Sequence, residues 1–283
     1  MSIQSIGVIG AGMMGNGIAQ ISAVAGLNVT MVDISDAAVQ KGIATLSGSL
    51  DRLVKKDKLS AADKDAALAR VKGSTSYDDL KGCQLVIEAA TENLEIKLRI
   101  LRQIDSLVPA ETVIATNTSS ISITQLAAVV SHPERVIGMH FFNPVPLMAL
   151  LEIIRGLQTS DDTHALAMAF ATKVGKTPIT VKNAPGFVVN RILCPMLNEA
   201  IFVLQEGLAT PEDIDNGMKL GCNHPIGPLA LADMVGLDTL LAIMDVFYEG
   251  FGDSKYRAPQ LLREKVAAGH FGRKNGRGFY NYA

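Results

Sequence analysis

His140 is the residue in this chain whose type and position best suit it to moving a proton. It lies in "MHFFNPVP", residues 139–146, directly after the apolar run "RVIGM". An unperturbed imidazole titrates near neutral pH, so it can take a proton and give it back under ordinary conditions. A lone histidine before two phenylalanines can equally be a core residue with a satisfied ring, and the string by itself leaves both readings open. Twelve positions on, Glu152 interrupts the apolar run "MALLEIIRG". A carboxylate there is costly to bury unless it is paired; the alternative is an edge strand with the glutamate facing water. A second chemistry lies near the N-terminus, where "VIGAGMMGNG" spaces Gly10, Gly12 and Gly15 as G-x-G-x-x-G. Gly10 permits a tight turn, Gly12 lets a pyrophosphate approach the backbone, and Gly15 lets a helix pack closely on a strand. The helix N-terminus that follows offers unpaired N–H groups and a partial positive charge to phosphates.

These residues need a frame. "SIGVIG", "LNVTMVD", "CQLVIEAA", "TVIATN", "RVIGMHF", "LLEIIRG" and "TPITV" are short, apolar and bounded by Gly, Pro, Asp or Asn, so they read as buried strands. Helical spacing occupies 13–25, 35–59, 93–106 and 161–174, and "SAAD" at Ser60–Asp63 resembles a capping box that starts another helix. Strands alternating with helices predict a parallel, doubly wound sheet: an α/β, Rossmann-type domain over residues 1–183. Beyond "KNAPGF" the strand-like runs thin out. Helix-like stretches follow at 191–206, 210–220 (Thr210 as N-cap, Pro211 at the first helical position) and 238–248, so residues 184–283 are expected to form a smaller all-α domain. Within this frame the glycine turn follows one strand, and the next strand ends at Asp33. That carboxylate would accept hydrogen bonds from an adenosine ribose and repel a 2′-phosphate; Ile34 and Ser35 follow it, with no adjacent arginine, so the spacing predicts NAD rather than NADP.

Composition narrows the setting. The chain has 283 residues, 48% of them hydrophobic, and a net charge of −2, which gives no electrostatic case for nucleic acid or an anionic membrane. No charged side chain precedes Asp33, but glycines and asparagines break the stretch, and neither a signal peptide nor a membrane span is expected. Cys83, Cys194 and Cys222 are far apart and lack metal-ligand spacing, which fits a reduced, cytoplasmic chain without a metal.

"GVIGAGMMGNGIAQ", "EAATENLEIK", "ATNTSS", "GMHFFNPVP", "LLEIIRG", "PGFVVNRIL", "HPIGPLALAD" and "GRGFYNY" together resemble, in order and spacing, the L-3-hydroxyacyl-CoA dehydrogenase family, and most of all its short, stand-alone bacterial members. The resemblance runs from about Ile6 to Tyr282. It implies reversible oxidation of a 3-hydroxyacyl-CoA thioester by NAD, with acetoacetyl-CoA and (S)-3-hydroxybutyryl-CoA as the expected pair. His140 becomes the general acid/base and Glu152 its partner, while Ser119 and Asn190 hydrogen-bond the substrate oxygens. The resemblance implies that the cofactor is held by Gly10, Ala11, Gly12, Met13, Met14, Gly15, Asp33, Glu92, Lys97, Ser119, Asn143 and, in the C-terminal tail, Lys274. CoA would meet Ser49, Lys56 and Ser119, with Arg52 one turn from Lys56 on the same helical face. Bland readings exist for several: Ser119 as a helix cap, Asn190 as a buried helix residue, Asn143 as a turn former, Glu92 as a cap, and both lysines as solvated. A homodimer through the C-terminal domain is expected from the resemblance. Rival readings are the same chemistry on a dicarboxylic thioester such as 3-hydroxyadipyl-CoA, a lysine-dependent 3-hydroxyacid dehydrogenase, which "HFFNPVP" opposes, and a catalytically silent NAD-binding relative.

Overall fold

Alternation of apolar runs with amphipathic stretches fixes the first half of the chain. In the computed structural model, which describes residues 3–282, the strands are β1 (Ser5–Ile9), β2 (Asn28–Val32), β3 (Val71–Ser74), β4 (Leu85–Glu88), β5 (Val113–Thr116), β6 (Val136–Phe141), β7 (Leu150–Arg155) and β8 (Thr177–Lys182). They form one sheet in the order β3-β2-β1-β4-β5-β6-β7-β8. The helices between them are α1 (Met13–Val24), α2 (Asp36–Val54), α3 (Ala61–Ala69), α4 (Leu94–Leu107), α5 (Ile123–Ala127) and α6 (Asp161–Lys173). All residues of β4, β5 and β6 are buried, as expected of strands covered on both faces. One face carries Val8, Ile87, Ala115, Met139 and Ile153 against α1, α2 and α6.

The expected doubly wound sheet is present, with one correction: β7 runs antiparallel to β6, while the other neighbouring pairs are parallel. The reason is connection length. A parallel crossover takes about a dozen residues or more, and only the eight residues 142–149 join β6 to β7. Order reverses between β1 and β4, where such sheets open their crevice.

Helix starts follow the capping chemistry. Ser60 Oγ accepts from Asp63 N at 3.0 Å and donates to the Asp63 carboxylate at 2.6 Å. The carboxylate takes up the serine hydroxyl, where a longer glutamate of a full capping box would reach the N-cap backbone. The end of α2 departs from expectation. Asp57 takes a left-handed φ of 54°, and the N–H groups of Asp57 and Lys58 return to Val54 O and Leu53 O. This is a Schellman closure, so the helix stops short of the expected Leu59.

The described residues divide into two compact units after Ala184. The second is helical: α7 (Val189–Gln205), α8 (Pro211–Gly221), α9 (Pro228–Val235), α10 (Leu237–Phe251) and α11 (Gln260–Ala267). Its core gathers Leu197, Ile201, Leu229, Leu240, Met244 and Phe247. Two buried carboxylates anchor its last residues. Asp233 accepts from Phe279 N, Tyr280 N and Tyr282 Oη, and Asp215 accepts from Leu229 N, Ala230 N and Tyr280 Oη. The tail "GRGFYNY" is thus held by two of its backbone N–H groups and two tyrosine hydroxyls, and Gly278 is required where a Cβ would lie 2.0 Å from the Asp233 carboxylate. Burial pushes the Cys83 thiol up to about 11 and the Cys194 thiol up to about 12, so both are poor nucleophiles at neutral pH. Among the described residues no helix is long and apolar enough to cross a membrane.

Candidate active site

His140 and Glu152 stand directly opposite each other in the antiparallel β6–β7 pair. Residues so paired project to the same face of a sheet, and this register brings His140 Nδ1 to 2.7 Å from Glu152 Oε2. Glu152 is 0% exposed and His140 6%. β7 is an interior strand, so the reading of Glu152 as an edge residue facing water is excluded. An ionised carboxylate only accepts. Nδ1 of the neutral ring therefore carries the hydrogen, and Nε2 carries the lone pair that can take a proton. The Phe142 ring lies 4.5 Å from the imidazole, centroid to centroid, tilted by 52°. Phe141 turns to the opposite face and into the core. Asn117, just past β5, accepts from Phe141 N at 2.9 Å and so ties down the strand end that carries His140.

Ser119 lies in the loop after β5, the strand next to β6. It is not a cap: Ser122 caps α5. Ser119 gives its N–H and its Oγ to Glu92 Oε1, at 2.7 and 3.0 Å, and Thr118 Oγ1 donates to Glu92 Oε2 at 2.7 Å. Glu92 is not a cap either, since Asn93 performs that task for α4. The two loops that leave β4 and β5 are thereby joined by one carboxylate. Asn143 is exposed and precedes Pro144 through a cis peptide bond, consistent with its alternative reading as a turn former.

The glycine turn joins β1 to α1. Gly10 has φ +99°, and a Cβ on it would lie 2.7 Å from Ala89 O; a Cβ on Gly15 would lie 1.8 Å from Gly10 O. Gly12 is different, with nothing within 4 Å of its missing Cβ. It is the N-cap of α1 and makes no side-chain cap bond. Beside it the exposed Met13 and half-buried Met14 form the first helical turn. Asp33 Oδ2 accepts from Ala11 N at 2.6 Å and Oδ1 from Ile34 N at 2.7 Å, and each oxygen retains acceptor capacity for a ribose hydroxyl. Open space over an uncapped helix N-terminus, flanked by a carboxylate at the end of β2, fits a dinucleotide. This predicts a split between two alanine variants. Gly15→Ala should lose stability by about 1–3 kcal/mol or more from overpacking against backbone. Gly12→Ala should melt within about 0.5 kcal/mol of wild type yet bind NADH poorly. Thermal melts and NADH fluorescence titrations of the pair check both statements.

The remaining expected positions lie on or just after α2, on α4, on α7 and in the C-terminal tail. Lys97 is only 1% exposed, and its ammonium is turned inward to Glu88 Oε2 at 2.5 Å and Thr116 Oγ1 at 3.3 Å. It is neither a solvated lysine nor one whose ammonium is presented to a ligand at the surface. Lys56 follows the last residues of α2, in the closure that the left-handed Asp57 completes, with its N–H donated to Leu53 O. Arg52 and Lys56 are both exposed, and Ser49 is half-buried in α2. Lys274 is in the second unit, ion-paired with Asp238. Asn190 is half-buried in the first turn of α7, also in the second unit.

Residues 5–184 match the NAD binding domain of 3-hydroxyacyl-CoA dehydrogenase, and residues 186–282 match its C-terminal domain. The chain belongs to the 3-hydroxyacyl-CoA dehydrogenase family and is an NAD-dependent oxidoreductase. It is 50% identical over 282 residues to a probable 3-hydroxybutyryl-CoA dehydrogenase of Bacillus subtilis, covering 100% of this chain and 98% of that one. A 3-hydroxybutyryl-CoA dehydrogenase of Bradyrhizobium diazoefficiens is 50% identical over 280 residues, covering 99% and 96%. Among solved structures, (S)-3-hydroxybutyryl-CoA dehydrogenase from Ralstonia eutropha is 70% identical with a TM-score of 0.98, over 100% of both chains.

Proposed function

We propose that the chain interconverts (S)-3-hydroxybutyryl-CoA and acetoacetyl-CoA, acting as a homodimer in the cytoplasm, with His140 as general acid/base and Glu152 as its partner. The observation that carries this reading is the buried 2.7 Å bond between His140 Nδ1 and Glu152 Oε2, set by strand register in the 3-hydroxyacyl-CoA dehydrogenase family. The names of the relatives support the four-carbon substrate.

NAD, when bound, supplies the hydride acceptor. The protein handles the proton. As C3 is oxidised, its hydroxyl proton passes to His140 Nε2. The imidazolium that forms donates through Nδ1 to Glu152, whose buried negative charge stabilises it. In the reverse direction the same imidazolium protonates the oxygen formed at C3. Ser119 and Asn190 are the proposed hydrogen-bond partners of the substrate oxygens. For this role the Ser119 hydroxyl turns its one hydrogen from Glu92 to the substrate oxygen, while Ser119 N–H keeps its bond to Glu92. Glu92, Asn143 and Lys274 are proposed toward the cofactor, and Ser49, Arg52 and Lys56 toward the phosphates of CoA as exposed or half-exposed groups on and just after α2.

Acetoacetyl-CoA and NADH mixed with the protein should give rapid loss of NADH. Faster turnover of longer or dicarboxylic thioesters would replace the four-carbon assignment. Asp33 governs the cofactor. A 2′-phosphate beside its carboxylate is a like-charge juxtaposition costing several kcal/mol, so kcat/KM with NADH should exceed that with NADPH by about 10²-fold or more at 1.4 kcal/mol per decade. Asp33→Ser should narrow the ratio, chiefly by raising KM for NADH; equal ratios in the two proteins would remove Asp33 from cofactor choice.

A further inference from the structure

We propose that Glu88, held by Lys97 and Thr116, is a positioning residue for the cofactor crevice: it sets segment 89–92 against the glycine turn and, through it, the Glu92–Ser119 pair. The inference rests on the NAD-dependent reading above and adds residues that never meet the substrate.

Glu88 is the last residue of β4, in register with Ile9 of β1 on one side and Thr116 of β5 on the other. It therefore sits at the point where strand order reverses. It is 0% exposed, and both carboxylate oxygens are engaged. Oε2 accepts from Lys97 Nζ at 2.5 Å and Thr116 Oγ1 at 2.8 Å, while Oε1 accepts from Ala90 N at 2.9 Å. The last bond bends the chain just after β4. It holds Ala89 and Ala90 where they leave room at Gly10 only for a hydrogen, since a Cβ there would meet Ala89 O and Ala90 Cα at 2.7 and 2.8 Å. Two residues further, Glu92 takes the bonds from Thr118 and Ser119. The second arm runs through β5: Thr116 Oγ1 accepts from Thr118 N at 3.4 Å, and Asn117 N donates to Glu88 O at 2.8 Å while its side chain accepts from Phe141 N. The Ser119 loop reaches this carboxylate through Thr116 Oγ1, the glycine turn packs against the segment that Oε1 holds at Ala90, and the strand end bearing His140 is tied through Asn117 to the backbone carbonyl of Glu88.

Stability alone does not favour such a group. Well-packed apolar residues of similar volume serve a core as well as a buried ion pair or better, whereas removing one partner leaves an uncompensated charge. That asymmetry separates a positioning role from a packing role. Glu88→Gln and Lys97→Met should each lower the melting temperature. The double variant Glu88→Leu/Lys97→Met should recover it, yet bind NADH at least tenfold more weakly by fluorescence titration and turn over acetoacetyl-CoA at least tenfold more slowly at saturating NADH. A double variant with wild-type melting, NADH affinity and kcat would reduce the pair to core filling and overturn the proposal. Thr116→Val is the second arm, should the double variant not fold. It keeps Lys97 and its charge but removes the hydroxyl bonds, and it should raise the NADH dissociation constant about threefold or more with little change in melting. Unchanged NADH affinity and kcat in Thr116→Val would also overturn the proposal, since a direct cofactor contact by Lys97 would survive that change. NADH binding is read without substrate, so a wild-type protein that binds NADH but does not reduce acetoacetyl-CoA would count against the substrate assignment and leave this inference standing on its own arms.

Discussion

Replacing His140 with alanine is expected to lower kcat for acetoacetyl-CoA reduction by about 10²–10⁴-fold, the usual contribution of a positioned general acid/base. At 1.36 kcal/mol per decade this is about 2.7–5.4 kcal/mol of the activation barrier. NADH affinity should stay near wild type, because the glycine turn, Asp33 and Glu92 are all on other elements. Stability should also suffer, because His140 is 6% exposed and its loss leaves Glu152 buried without its ring partner. Taking a donor away from a buried carboxylate is costly, and the group can relieve that cost by taking up a proton. His140→Gln is therefore the companion variant. Its amide can still donate toward Glu152 but cannot cycle a proton at neutral pH, so it should melt closer to wild type and be just as slow. Stopped-flow reduction with saturating NADH measures the chemical step directly. A His140→Gln protein that turns over at the wild-type rate would transfer the proton chemistry to another group.

How much of this was visible in the chain depends on what kind of signal each residue leaves. The glycine turn was legible because each glycine answers a separate steric demand, and Gly10 and Gly15 meet theirs by the shortest Cβ approaches in the turn. Seven strands stood out as Val- and Ile-rich runs. β3 did not: "VKGS" is a four-residue edge strand with one large apolar residue, and sheet edges are often short and polar. The five-residue α5 is too short to show a helical period. His140 and Glu152 were recognisable as types and by resemblance, but their juxtaposition depended on β7 turning antiparallel. The signal for that was present in the eight-residue connection, too short for a crossover, and it outweighs the general preference of doubly wound sheets for parallel order. Glu88 carried a signal akin to that of Glu152, a carboxylate in an apolar run, here as the last residue of "LVIE". Its partner Lys97 lies nine positions on, in an amphipathic helix where a lysine ordinarily faces water, and only the packing of α4 shows that this one points inward.

Glu152→Gln should separate the partner's charge from its shape. The side chains are nearly isosteric, and the amide can still hydrogen-bond His140 Nδ1 over the 2.7 Å now observed. Folding should therefore lose only about 1 kcal/mol, the net worth of an ordinary buried hydrogen bond. Catalysis should lose far more, because both orientations of the amide are wrong. If its NH₂ faces Nδ1, the ring is forced to carry its hydrogen on Nε2 and cannot accept the substrate proton. If its oxygen faces Nδ1, the tautomer is right but the imidazolium meets a dipole where it met a full charge in a dry site. Replacing the carboxylate of a catalytic triad by its amide costs about 10⁴-fold through this tautomer effect, and a loss of about 10²–10⁴-fold in kcat is expected here. KM for acetoacetyl-CoA should change little, since Glu152 is fully buried behind the imidazole and is removed from the substrate by one ring. The combined measurement is a thermal melt and a kcat on the same preparation. A melt lowered by several degrees with kcat intact would make Glu152 a structural carboxylate. A melt nearly unchanged with kcat collapsed would mean that strand register, by setting His140 opposite Glu152, sets the protonation state on which the reaction runs.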